Sequence, residues 1–134
     1  MDLTNSIEEY QTQGYLMMNS FYETTIINDI FEDIQKSQLS IVPVLVAAVK
    51  HNFLNKNDIA VENGNLKYLK HANVYFSSIN NLLTSDLFSF VSKLLEENVI
   101  VENIELHQKL PGASETPAHQ DNFYFCLKDG KSLT

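Results

Sequence analysis

Apolar positions recur on a helical period in two stretches of the chain and on shorter, strand-like periods elsewhere. Between Glu23 and Lys36, Ile26, Ile27, Ile30, Phe31 and Ile34 fall on one side while Asp29, Glu32 and Asp33 fall on the other, which predicts an amphipathic helix. A second stripe, Leu87, Phe88, Val91, Leu94 and Leu95, follows Thr84 and Ser85, either of which suits a helix N-cap, and ends near Asn98. Residues 3 to 13 suit a short polar helix closed by Gly14, with Tyr15-Leu16-Met17-Met18 as a first strand. Val42 to Asn52 reads two ways: its branched residues favour a strand, and its length and Ala47-Ala48 favour a helix beginning near Pro43. Ile59 to Glu62 and Asn65 to Leu69 flank Asn63-Gly64, a pair that supplies the positive φ angles of a tight turn, so a β-hairpin is predicted there.

The last third changes character. Val99 to Leu106 reads as a strand whose apolar residues move from odd positions (Val99, Val101) to even ones (Ile104, Leu106), which implies a bulge near Glu102-Asn103. The even phase carries Gln108 onto the same face as Ile104 and Leu106, where an amide needs a partner. A loop from Pro111 to Pro117 leads into a second, aromatic-rich strand, His119 to Leu127, and a turn at Asp129-Gly130.

Composition narrows the class. With 44% hydrophobic and 19% charged residues over 134 positions, the chain is the size and make-up of one soluble domain. Its net charge of −8 repels phosphate backbones and anionic headgroups, which argues against nucleic acid and membrane partners. The apolar run Ile41 to Val49 is interrupted by Pro43 and is too short to span a bilayer, and the first fifteen residues lack the basic start of a signal peptide. Cys126 is the single cysteine, so no intrachain disulfide forms and a reducing, cytoplasmic setting is the expectation; the thiol itself reads as a small packed side chain. All nine basic residues are lysines.

The chemistry-bearing feature is His119-Gln120-Asp121. On a strand, positions i and i+2 share a face, so an imidazole and a carboxylate stand side by side, as two legs of the facial triad that holds iron in non-haem oxygenases. The bare triplet reads more simply as a solvated strand face. Its surroundings alter that balance: Lys109-Leu110-Pro111-Gly112, Thr116-Pro117-Ala118 and His119-Gln120-Asp121-Asn122-Phe123-Tyr124-Phe125 follow one another in order. This run resembles the phytanoyl-CoA dioxygenase family, strongly from about Val99 onward and more weakly through Gln13-Gly14-Tyr15 and the helices.

The resemblance implies an α+β architecture: a partial double-stranded β-helix, or jelly roll of cupin-like form, with flanking N-terminal helices. Residues 1–98 would be the helical and hairpin region and 99–134 the first core strands, together the N-terminal part of a single oxygenase domain. It further implies His119 and Asp121 as Fe(II) ligands, Gln108 as a contact to the cosubstrate 2-oxoglutarate, and dioxygen and a small-molecule substrate as the remaining partners. The family's third ligand is a second histidine, followed by an arginine that pairs with 2-oxoglutarate. Both lie downstream of the HQD triplet, whereas this sequence holds no arginine, and His51, His71 and His107 all precede the triplet. Lys109 is a conceivable carboxylate partner and more ordinarily a solvated loop lysine. The expected function is therefore a 2-oxoglutarate-dependent dioxygenase present as a fragment inactive alone. The alternative is a non-catalytic oxygenase-like binding or scaffold domain completed by another chain; a zinc hydrolase is disfavoured because three protein ligands and a general base are wanting.

Overall fold

The computed structural model describes residues 3–109 and Pro111. Helix α1 spans Leu3–Gln13 and ends at Gly14, whose φ of +78° places it in the left-handed region that closes a helix. Helix α2, Thr24–Lys50, is the longest element and runs through Pro43 without a break. Of the two sequence readings of residues 42–52 the helix holds and the strand does not, but the helix continues from Thr24 and does not begin near Pro43. Pro43 lies on the exposed face, so the carbonyl of Leu39 that loses its helical donor is left to water and not to the core.

A 3-10 turn, Lys56–Asp58, leads into strand β1, Ile59–Glu62, which pairs antiparallel with β2, Asn65–Leu69, across the predicted Asn63-Gly64 turn. Asn63 (φ 52°) and Gly64 (φ 78°) are both left-handed, as this turn requires. A bulge interrupts the pairing between Ala60 and Val61. A single-turn helix α3, Ala72–Tyr75, and a 3-10 segment, Ser77–Leu82, connect to α4, Ser85–Leu95. The Thr84 hydroxyl accepts the Leu87 N–H at 3.1 Å, which is the N-cap expected from the sequence.

Two predicted strands are not present as read. Tyr15 to Met18 forms no strand, and Tyr15 and Met17 are exposed. The predicted strand Val99 to Leu106 contracts to β3, Leu106–His107, and the expected bulge has no ladder to interrupt. The residues before β3 serve the turn after β2 instead: the Asn103 side chain accepts the His71 N–H at 3.1 Å and the Ile104 carbonyl accepts the Ala72 N–H at 2.9 Å. β3 joins β2 antiparallel, giving the order β1-β2-β3.

The core lies between α2 and one face of this sheet. Ile34, Val42 and Leu45 of α2 cluster with Leu66 and Leu69 of β2 and with Ala72, Phe76 and Ile79 beyond it; Leu66, Leu69 and Phe76 are fully buried. Asp33 ties α2 to the 3-10 segment by accepting the Ser78 hydroxyl at 2.5 Å and its N–H at 3.4 Å. The Ser78 hydroxyl bond is the main cause that holds the Asp33 carboxyl below its ordinary range. Among the described residues no helix is long and apolar enough to cross a membrane. The jelly-roll expectation concerns strands beyond this three-stranded sheet.

Candidate functional site

β3 leads directly into the segment that carries the sequence-derived site. On β3 and its extension, Ile104, Leu106 and Gln108 are half-buried while Glu105, His107 and Lys109 are exposed, the alternation of a strand with one covered face. Ile104 and Leu106 pack against the core cluster, so Gln108 does share their face, as its phase in the sequence indicated. Its backbone N–H donates to the Lys67 carbonyl at 2.9 Å, which continues the β2–β3 ladder past His107 and fixes the residue in register. Lys109 follows as an exposed residue. His119 and Asp121 lie outside the described residues, as does most of the loop between Pro111 and Pro117.

The opposite face carries a polar network that the sequence gave no reason to single out. Glu105 is its hub: its carboxylate accepts the Tyr68 hydroxyl at 3.0 Å and the Asn103 amide at 2.6 Å, and His107 Nε2 stands 3.1 Å away. The Tyr68 and His107 rings lie 4.9 Å apart, face tilted to face. Burial, then the bond to Glu105 and its negative charge, push the Tyr68 phenol up to about 12, because each disfavours a second anion beside the carboxylate. Chemically this network clamps β3 to β2 through side chains where only two residue pairs form the ladder. The β2–β3 register, which sets Tyr68 opposite His107, brings these groups together and becomes visible only in the structure.

The remaining histidines do not converge. His51 closes α2 and stacks loosely with Phe53 at 6.5 Å, and His71 occupies a left-handed turn position at φ 53°. Among the described residues no group of three or more His, Cys, Asp or Glu side chains stands close enough to hold a metal ion. An open cleft of about 420 Å³ between the Asn19-Ser20-Phe21 turn and α4 is floored by Phe21 and Phe90 and edged by Asp86, Ser89 and Lys93; no residue of the β3 segment lines it.

Comparison with known proteins gives a single line of similarity. A protein of Stutzerimonas stutzeri described as a probable alpha-ketoglutarate-dependent hypophosphite dioxygenase is 25% identical over 127 residues, which cover 94% of this chain and 44% of the relative. The uncovered 6% of 134 residues is about eight, and Asp121 lies thirteen residues from the last position, so the HQD triplet falls within the aligned span. No family model matches the chain, and no solved structure matches it. The chain thus spans under half the length of this relative, to which nearly all of it is similar.

Proposed function

We propose that this chain is the N-terminal part of a non-haem Fe(II)/2-oxoglutarate-dependent dioxygenase of the phytanoyl-CoA dioxygenase type, acting on a small organic molecule with dioxygen and 2-oxoglutarate as co-reactants. The observation that carries this reading is the similarity, across nearly the whole chain, to a protein described as a probable alpha-ketoglutarate-dependent dioxygenase, with the HQD run and its preceding proline-glycine loop inside the aligned span.

In this reading the neutral imidazole of His119 and the carboxylate of Asp121 hold the metal from one side, which is the donor set that suits Fe(II) and leaves the opposite positions for cosubstrate and oxygen. Iron, when bound, supplies the oxidising chemistry; the protein orients and shields it. Gln108 offers its amide to the cosubstrate. No described residue hydrogen-bonds its side chain, while its backbone is held by Lys67. Residues 1–134 hold no arginine and no histidine after His119, so in this reading they do not themselves supply the family's third ligand or the arginine that pairs with the distal carboxylate of 2-oxoglutarate.

The test is anaerobic titration of the complete reading-frame product with Fe(II) and 2-oxoglutarate. Either His119→Ala or Asp121→Ala is expected to lower iron-dependent 2-oxoglutarate binding by at least about 100-fold, and Gln108→Ala to weaken the cosubstrate about tenfold with iron retained. Unchanged affinities in both ligand variants would overturn the assignment.

A further inference from the structure

We propose that Tyr68 and Glu105 are positioning residues for the cosubstrate: their bond across the β2–β3 pair holds β3 in the register that keeps the Gln108 amide on the core-side face. The inference rests on the reading of Gln108 as a 2-oxoglutarate contact, whereas the clamp itself is read from the sheet.

The backbone alone does little to fix Gln108. In the β2–β3 ladder only Tyr68 with His107 and Leu69 with Leu106 are paired, and the Gln108 N–H bond to the Lys67 carbonyl at 2.9 Å adds a last rung. Antiparallel pairs alternate between hydrogen-bonded and non-hydrogen-bonded sites, so a rung at Gln108 and Lys67 makes the adjoining Tyr68–His107 pair a non-bonded one. A ladder this short specifies its register weakly. A slip of one residue would carry Gln108 to the opposite face, and a slip of two would move its amide about 7 Å along the sheet. Either displacement takes the amide out of hydrogen-bond reach of a ligand placed to meet it.

Side chains supply the missing specification. They approach most closely at a non-bonded pair, and there the Tyr68 and His107 rings lie 4.9 Å apart. The Tyr68 hydroxyl reaches past His107 to the diagonal position and donates to Glu105 Oε1 at 3.0 Å. The same oxygen accepts the Asn103 side-chain amide at 2.6 Å, and the Asn103 carbonyl oxygen accepts the His71 N–H at 3.1 Å, just beyond the end of β2. Glu105 is therefore tied to β2 through Tyr68 and to the turn after β2 through Asn103. Each tie joins one fixed pair of residues, so a slip of β3 breaks both. The Tyr68 phenol, pushed up to about 12, stays protonated at neutral pH and so remains a donor. The clamp lies on the face opposite Gln108 and touches no ligand; it acts through the strand.

The experiment is a double-mutant cycle on the complete reading-frame product, read as the Kd for 2-oxoglutarate with Fe(II) under anaerobic conditions. Tyr68→Phe keeps the ring and removes the hydroxyl; it is expected to weaken 2-oxoglutarate about threefold with iron affinity unchanged, and to speed amide exchange at Gln108 by at least about as much. Its cost is bounded by the about tenfold expected of Gln108→Ala, because the clamp acts only through that side chain. In a Gln108→Ala background Tyr68→Phe should therefore cost nothing further. Glu105→Gln retains an oxygen that accepts from Tyr68 and Asn103 and should restore affinity to within about 1.5-fold, where Glu105→Ala loses about fivefold. A merely structural role would lower the melting temperature or the binding-competent fraction and leave the Kd in place. An unchanged Kd in Tyr68→Phe, or equal losses with and without Gln108, would overturn the proposal and leave the oxygenase reading standing. An unchanged Kd in Gln108→Ala would remove Gln108 and the clamp together from the cosubstrate site, with the iron ligands judged separately by His119→Ala and Asp121→Ala. Failure of the unsubstituted protein to bind 2-oxoglutarate at all would overturn both the reading and the proposal.

Discussion

Replacing Leu69 by alanine tests the account of the core most directly. Leu69 is fully buried, pairs with Ile59 on one side and Leu106 on the other, and belongs to the cluster that α2 covers. Deleting three carbon groups forfeits about 2.4 kcal/mol of transfer free energy at ~0.8 kcal/mol each. An uncollapsed cavity would add about 1.5 kcal/mol more, and partial relaxation at the nearby sheet edge brings the sum to about 3 kcal/mol. With a urea m-value of about 1.5 kcal/mol/M for a domain of this size, the unfolding midpoint should fall by about 2 M. Far-UV circular dichroism is the suitable probe, since the chain lacks tryptophan. Leu39→Ala, at a side chain 77% exposed, should change stability by less than about 0.5 kcal/mol, and volume-conserving Leu69→Met by less than about 1.5 kcal/mol. A Leu69→Ala loss below about 1 kcal/mol, or one equal to that of Leu39→Ala, would refute the placement of β2 beneath α2.

Two further outcomes concern ionisation. The Asp33 carboxyl is held low by Ser78, so its folded pKa lies beneath its unfolded one; the stability it contributes is present above the unfolded value near pH 4 and is lost as pH falls through the folded value. Asp33→Asn should lower the urea midpoint at pH 7 and flatten its decline in acid, and an equally steep acid decline in the variant would count against the Asp33–Ser78 bond. Tyr68 is raised to about 12 from 10.0, so its contribution is present below pH 10 and vanishes as pH climbs toward 12. Tyrosinate absorbance should show a late phase that Tyr68→Phe removes, and simultaneous ionisation of all tyrosines near pH 10 would contradict the Glu105 network.

What the sequence disclosed depended on how locally each element is determined. The Asn63-Gly64 turn and the Thr84 cap are decided within a few residues, and both stand where the sequence put them. Gln108 also kept its predicted face, because side-chain alternation survives even a strand of two paired residues. The misreadings came where tertiary pairing decides. Val99 and Val101 have strand-forming side chains, but Asn103 and Ile104 are engaged in closing the turn around His71, which leaves the residues before them without a ladder. Pro43 looked like a helix start because its cost in mid-helix is usually prohibitive; placed on the wet face of α2, it is tolerated. Phe76 and Ile79 lie in a segment to which the sequence reading assigned no element, and the packing of α2 against the 3-10 segment identifies them as core. His119 and Asp121 were reached through resemblance and spacing, not through folding rules, and lie outside the described residues.

The connection from α2 to the hairpin has a consequence for the order in which the chain acquires shape. Only residues 51–58 separate the end of α2 from β1, so the helix and the hairpin that share the buried cluster follow each other directly along the chain. Contacts this local close quickly, since little loop entropy is spent before they form. During synthesis, residues 24–69 can therefore condense while the segment bearing His119 and Asp121 is still being made. The helix–hairpin unit then serves as the platform on which β3 is laid, and a nascent chain spends its first moments with that platform uncovered on the β3 side.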